Sequence, residues 1–280
     1  CTYDNMWYNG CYTITTYVNA NEKVLTKNPL YWDTDCTLFD SVTYKMVESK
    51  DVAFQMFQAG EVDDITLTES NLHTIYDNPS NEYHDNLVES RPTKFSYQIH
   101  FCWDKYLENG EPDTNWNTAI ANESFRKAWY YGLDLTPYLA RTNYINPQNC
   151  ANYAYTMSNL VSFSDGTEYT QRVMDKLGIK ADGTSFARYD AAEYKSKAIE
   201  ELTAKGVTFP VEIDYYIKAS DQTALDNANV MKQMFSDCLG DDFVTFNIKT
   251  YVSSVAKEVR NPQLASFYVN AWGADYGDPQ

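Results

Sequence analysis

Asn270-Ala271-Trp272-Gly273-Ala274-Asp275-Tyr276-Gly277-Asp278-Pro279-Gln280 is the stretch from which we interpret the fold. An apolar run over 266–269 leads directly into it. Glycines, two acids and a proline after a strand predict that the chain leaves the sheet after Val269 as an exposed loop. A carboxylate beside a tryptophan suits an ammonium group attached to hydrocarbon. The alternative interpretation is an ordinary Asp-rich turn with Trp272 packed in the core.

Helices and strands alternate in the part of the chain that precedes this stretch. In order, apolar spacing predicts a helix from Asp190 that stops before Gly206, a strand over 208–217, a helix from an Asp221 cap to Gly240, a strand over 244–248 and a short helix near 253–259. This alternation is typical of an α/β layer with open sheet edges. In such layers ligands bind beyond the carboxyl ends of the strands, where the loop carrying Trp272 and Asp275 falls.

The first part of the chain has a different pattern. Residues 1–48 alternate strand-forming runs with turns, and a helix follows from an Asp51 cap to Gly60. Residues 61–65 are predicted to form a short extended segment. This pattern predicts a sheet with one helix, followed by an exit to another part of the molecule.

The middle of the chain gives weaker signals. Residues 94–101 alternate as a strand, whereas 105–121 contain Asn-Gly and Glu-Pro turn pairs and are predicted to be a polar insertion. A helix opens at residue 122 or 123. Residues 143–188 are expected to form a long surface excursion with one short helix near 168–177.

The composition argues against nucleic acid as a partner and against a zinc site. The net charge is −17, from 39 acidic and 22 basic residues, so the chain lacks the Lys/Arg surplus needed to bind nucleic acid. Six cysteines without a Cys-x-x-Cys pair, and three scattered histidines, predict no zinc site, and we expect no cofactor. Cys102 and Cys238 are expected to be buried free thiols.

Five motifs then suggest a family. In chain order they are Asn9-Gly10-Cys11-Tyr12, Lys27-Asn28-Pro29-Leu30-Tyr31-Trp32-Asp33, Phe57-Gln58-Ala59-Gly60-Glu61-Val62-Asp63, Asn122-Glu123-Ser124-Phe125-Arg126-Lys127-Ala128 and Ala271-Trp272-Gly273-Ala274-Asp275-Tyr276. Together they resemble the family 5 extracellular solute-binding proteins of ABC importers, the oligopeptide- and dipeptide-binding proteins. The 205–210 run is most similar to the Gram-positive oligopeptide branch. Cys11 departs from the pattern, because the family usually has Pro after the Gly.

The resemblance implies a fold and a division of the chain. The expected class is α/β, a periplasmic-binding-protein-like class II two-lobe fold, here mainly the second lobe with a mixed sheet flanked by helices. Residues 1–62 would be part of the first lobe, 63–269 the second lobe, and 270–280 the return crossover with the ligand loop. The family's chain is longer at both ends, so Cys1 is expected to be an internal position and not a lipid anchor.

The resemblance also implies a function. Two lobes would close over an oligopeptide and deliver it to a membrane permease, and the protein would be a monomer and not an enzyme. Asp275 matches the family's anchor for the ligand's α-amino group. Trp272 would line the adjoining pocket, Gly273 would let the backbone approach the ligand, and Tyr276 is a weaker candidate. The full-length protein would lie outside the cell membrane, lipid-anchored or periplasmic.

Two other functions remain open at this point. Tryptophan and tyrosine rings also stack on sugars, so an oligosaccharide-binding member of the same superfamily is one alternative. A glycoside hydrolase is the other, but it needs two carboxylates on opposite sides of a cleft. Asp275 and Asp278 lie three residues apart on one segment, which is poor geometry for that reaction.

Overall fold

The computed structural model describes residues 2–47, 49–90, 93–151, 154–178 and 189–274. The chain forms two compact units, Cys1–Glu89 and Ser90–Gln280. The lobe boundary expected at residue 62 stays a prediction, since a compact unit and a lobe of the full-length protein need not coincide. None of the described helices has the length and apolar character needed to cross a membrane.

The first unit contains an antiparallel sheet of three strands, β1 (Tyr12–Val18), β2 (Glu22–Lys27) and β3 (Ser41–Lys45), in that order. The register aligns Ile14, Leu25 and Val42 on one face of the sheet. Thr13 and Thr26 stand opposite each other on the other face. No side chain of these three strands is fully buried.

The described residues of the first unit also form two α-helices, α1 (Lys50–Gln58) and α2 (Glu69–Tyr76). The cap of α1 is Ser49, whose hydroxyl accepts a hydrogen bond from the N–H of Asp51 at 3.2 Å. The expected Asp51 cap is therefore wrong by two residues, because Asp51 already lies in the first turn. No strand forms over 61–65 in the described chain.

The second unit contains two pairs of strands. β4 (Phe95–Phe101) pairs antiparallel with β7 (Phe267–Gly273), and β5 (Val211–Lys218) pairs parallel with β6 (Val244–Tyr251). The N–H of Ser266 donates to the carbonyl of Asp214 at 2.9 Å and links the two pairs. Parallel and antiparallel pairing therefore occur together, as a mixed α/β arrangement requires.

Among the residues that the structure describes, six α-helices and one π-helical turn also belong to the second unit. They are α3 (Thr114–Ala121), α4 (Glu123–Gly132), α5 (Thr136–Ala140), α6 (Tyr169–Leu177), α7 (Tyr189–Thr203), α8 (Gln222–Leu239) and the turn Ala256–Arg260. The caps expected from the sequence are confirmed for α4 and α8: Asn122 accepts from the N–H of Phe125, and Asp221 from the N–H of Ala224. The helix expected near 168–177 is also confirmed.

Aromatic rings form the centre of the second unit. The ring of Trp129 on α4 lies 4.8 Å from Phe235, 5.5 Å from Phe101 and 6.0 Å from Phe267, measured between centroids. These rings belong to two helices, α4 and α8, and to both strands of the β4–β7 pair. The core therefore fixes which face of that pair turns inward. The thiols expected at Cys102 and Cys238 form no disulfide and are partly, not fully, buried.

The polar insertion expected over 105–121 is wrong. Its second half is the helix α3, and Trp116, Ala119 and Ile120 are among the most buried residues of the chain. The spacing i, i+3, i+4 places these three on one helical face. Asp113 caps the helix by accepting from the N–H of Trp116 at 2.9 Å. The expectation rested on the turn pairs Asn109-Gly110 and Glu111-Pro112, which precede the helix.

The expected exit from the sheet after Val269 is also wrong. β7 continues to Gly273, and residues 270–273 pair with residues 95–98 of β4. A partner strand is available for each of these residues, and a full ladder of backbone hydrogen bonds outweighs the local turn propensity of glycine and alanine.

Candidate functional site

The end of the β4–β7 pair carries the predicted ligand residues. Ile99, Phe101, Phe267 and Val269 project from one face of the pair and pack against the core. Successive strand residues point to opposite faces, so alternate residues face away from the core. Trp272 lies on this second face, directly opposite Ser96.

Trp272 does not pack in the core. Its side chain is 58% exposed, whereas Trp116 and Trp129 are almost completely buried. Ser96 beneath it is buried, and its hydroxyl donates a hydrogen bond to the carbonyl of Tyr155. A large exposed ring fixed on a regular strand presents a stiff apolar surface at low entropic cost, which is suited to ligand contact.

Gly273 has a neighbour that the sequence interpretation did not anticipate. Phe95 lies directly opposite it in the register, and two atoms of the Phe95 ring lie 2.8 Å from the position that a Cβ of residue 273 would occupy. Any side chain at 273 would collide with this ring. The packing of Phe95 is therefore one physical reason for glycine here.

Asp275 and Tyr276 lie outside the described residues. Their roles as anchor for an α-amino group and as secondary contact stay predictions. β7 ends at Gly273, and the described residues end at Ala274, one residue before Asp275.

A buried ion-pair network is the polar feature that sequence reasoning missed. The ammonium group of Lys105 lies 2.6 Å from a carboxylate oxygen of Asp113 and 2.8 Å from one of Asp214. Lys249 approaches Asp214 at 3.4 Å from the more exposed side. Burial alone would raise the pKa of Asp214, but the two ammonium groups outweigh burial and hold this pKa below its ordinary value.

This network links separate segments of the second unit, because each of its three buried charged groups has a partner of opposite charge at hydrogen-bond distance. The main chain of Lys105 is held as well, because its N–H donates to the side chain of Asn117 and its carbonyl accepts from the same side chain. The only sequence signal was a lysine and an aspartate inside an apparently polar segment.

Comparison with known proteins agrees with this architecture. The family model described as "Bacterial extracellular solute-binding proteins, family 5 Middle" matches residues 2–280. The oligopeptide-binding protein AliB of Streptococcus pneumoniae is 26% identical over 300 residues, covering 97% of this chain and 45% of AliB. The dipeptide-binding protein DppE of Bacillus subtilis is 25% identical over 138 residues, covering 48% of this chain and 22% of DppE.

Solved structures show the same fold. OppA of Listeria monocytogenes bound to peptide superposes with a TM-score of 0.57 at 17% identity, over 99% of this chain and 49% of OppA. The substrate-binding domain of an oligopeptide ABC transporter from Bacillus anthracis superposes with a TM-score of 0.55 at 19% identity. The superposition covers 97% of this chain and 47% of the Bacillus anthracis chain. The chain thus spans about half the length of AliB and of the two solved structures. The α/β fold and the family resemblance are confirmed, and the chain belongs to the bacterial extracellular solute-binding proteins of family 5.

Proposed function

We propose that this chain is part of a receptor that captures oligopeptides outside the cell and passes them to an ABC permease in the membrane. The names of its relatives support this, since AliB is an oligopeptide-binding protein and the Listeria OppA structure holds a peptide. We further propose that the protein leaves the bonds of its ligand intact and acts as a monomer. The full-length protein would be lipid-anchored on the extracellular face or periplasmic.

The observation that carries the proposal is the combination of an exposed Trp272 with a strand that has one edge without a strand partner. β7 pairs with β4 along one side. On the other side the N–H of Ser266, just before β7, bonds to the carbonyl of Asp214 in β5, and no other strand in the described chain pairs with residues 267–273. An extended peptide can add to such an edge through main-chain hydrogen bonds, which give affinity without reading side chains.

Asp275 supplies the charge that a free peptide requires. It follows β7 by two residues, and a carboxylate there would pair with the α-amino group of a peptide lying along the strand edge. Such a charge-assisted hydrogen bond contributes roughly 1.5–3 kcal/mol, which corresponds to about 10- to 150-fold in affinity. Tyr276 would be a secondary contact.

Calorimetry on the full-length protein tests this proposal. We expect binding of unmodified tetra- to hexapeptides, and about 10- to 150-fold weaker binding after N-acetylation or after Asp275→Asn. Asp278→Asn makes the same charge change three residues away and should leave affinity nearly unchanged.

An oligosaccharide receptor would give the opposite result. The exposed Trp272 ring also suits stacking on a sugar, and this observation keeps sugar binding as the second candidate. Binding of cello-oligosaccharides with no binding of peptides would refute the peptide proposal. Equal affinity for free and acetylated peptides would refute the role of Asp275 alone.

A further inference from the structure

The ring of Phe95 occupies the side-chain position that Gly273 leaves empty. Cδ1 and Cε1 of the ring both lie 2.8 Å from the place of the missing Cβ, and the Lys94 stem lies 3.4 Å from it. The ring therefore extends from β4 across the backbone of β7. It remains 46% exposed, so its outer surface is available for contact.

Trp272 and the Phe95 ring project from opposite faces of the strand pair. Trp272 is adjacent to Gly273 in β7, and adjacent strand residues alternate between faces. The face that carries Phe95 continues with Tyr97, which is 66% exposed and stands opposite Ala271. Glycine and alanine on β7 thus leave two rings of β4 uncovered.

A peptide added to the edge of β7 would alternate in the same way. One of its side chains would lie on the Trp272 face, and the next would lie on the opposite face beside Gly273. Because Gly273 has no side chain, the cross-strand neighbour of that ligand residue would be the Phe95 ring. Cross-strand contacts of this kind contribute to pairing preference between strands.

We propose that Phe95 determines specificity at one position of the bound peptide, an inference that rests on the proposed function. The favoured ligand side chain is apolar or aromatic, because it packs on an exposed ring. A lysine or arginine is disfavoured there, because the ammonium group of Lys94 already lies 5.5 Å from the centroid of the same ring. The neighbouring ligand position, on the Trp272 face, is independent of Phe95.

A peptide panel tests the inference on the full-length protein. The probes are alanine-based hexapeptides in which each position in turn carries Phe, Leu, Asp or Lys, with affinities measured by calorimetry. We expect one position at which Phe and Leu are preferred over Lys, and Phe95→Ala should reduce this preference by about three- to tenfold. Preferences at the adjacent position should be unchanged.

Two further variants make the result decisive. Phe95→Leu retains apolar packing on Gly273 but removes the ring, so it should keep the fold and reduce the preference for Phe over Lys at that position. Phe163→Ala removes a ring of similar exposure that also has a cation beside it, Arg172 at 4.1 Å, and should change nothing.

The experiment distinguishes a failure of the proposed function from a failure of the proposed role of Phe95. If the wild-type protein binds no peptide in the panel, the proposed function is wrong and this inference is wrong with it. If the wild-type protein binds peptides but Phe95→Ala and Phe95→Leu leave every positional preference intact, only the role of Phe95 is refuted.

Discussion

Lys105 and Asp214 form an ion pair of 2.8 Å in which 1% of the lysine side chain and 7% of the aspartate side chain are exposed. Lys105 follows β4, and Asp214 lies in the middle of β5. Asp113, immediately before α3, completes the pair with a second carboxylate. One buried ammonium group therefore ties three separate segments of the second unit together.

Removing this ammonium group should destabilise the protein severely. Lys105→Met would leave Asp113 and Asp214 side by side without their shared counter-charge, and breaking a buried pair typically costs about 3–5 kcal/mol. The free energy of unfolding from urea titrations, followed by tryptophan fluorescence, measures the change. Lys127→Met removes the exposed lysine of the Glu123–Lys127 pair and should have little effect. Similar losses in both variants would contradict the importance of burial.

The second unit contains two helical leucines that differ in burial and can be compared. Leu202 on α7 is completely buried, whereas Leu177, the last residue of α6, is 64% exposed. Leu202→Ala should lower the free energy of unfolding by about 2–5 kcal/mol, since it removes apolar contacts and leaves a cavity. Leu177→Ala should cost well under half as much. Thermal unfolding of both variants checks this, and equal midpoints would show that α7 does not pack as described.

A double-mutant cycle tests the contact between Gly273 and Phe95. Gly273→Ala forces a methyl group against the Phe95 ring and should cost about 1–3 kcal/mol. In a Phe95→Ala background the same change should cost distinctly less, because the obstacle has been removed. Gly10→Ala is the control, since no heavy atom lies within 4 Å of the added Cβ. Additive costs would refute the contact.

Glu258 predicts a specific dependence of stability on pH. Its carboxylate accepts hydrogen bonds from the N–H groups of Val252, Ser253 and Ser254, and these bonds lower its pKa to about 2. The folded-state pKa is thus below the unfolded-state value of about 4.3, so the stabilisation is complete above that pH and is lost as the pH falls toward 2.

Glu258→Gln should therefore be less stable than wild type at pH 7, and the difference should shrink between about pH 5 and pH 2. Midpoints of thermal unfolding across this range measure it. Exposed Glu212→Gln is the control for a change in net charge. If the difference in unfolding midpoint between wild type and Glu258→Gln stays constant with pH, the ionisation of Glu258 does not stabilise the fold.

The sequence predicted those elements whose local signals agree with their packing. Asn122 caps α4, and Asp221 caps α8. In both cases the capping residue is followed directly by the apolar spacing of a helix, so the cap and the spacing can be read from neighbouring residues. α3 was missed because the turn pairs Asn109-Gly110 and Glu111-Pro112 suggested a polar insertion over the whole of 105–121, although apolar residues at 116, 119 and 120 were a usable signal. The Lys105 network was not predictable, since its partners lie 8 and 109 positions away and only the tertiary fold brings them together.

The same limit applies to the candidate site, whose ligand contacts stay predictions. Trp272 is exposed as expected, but the extension of β7 depends on β4, more than 170 residues earlier in the chain. The ring over Gly273 depends on the register between those strands, and a single sequence does not specify that register. Local composition favoured a turn, and the long-range pairing overrode it.

The low burial of the β1–β3 sheet has a consequence for local unfolding of the chain. Its strands contain no fully buried side chain, whereas β5 and β6 are anchored by residues such as Val211, Ile213 and Val244. Backbone amides in segments with few buried apolar contacts exchange with deuterium through low-energy local opening, and those in a dense core exchange only through larger unfolding events. In this chain, solvent deuterium should therefore label β1–β3 well before β5 and β6, so that the two units behave as separate cooperative folding units.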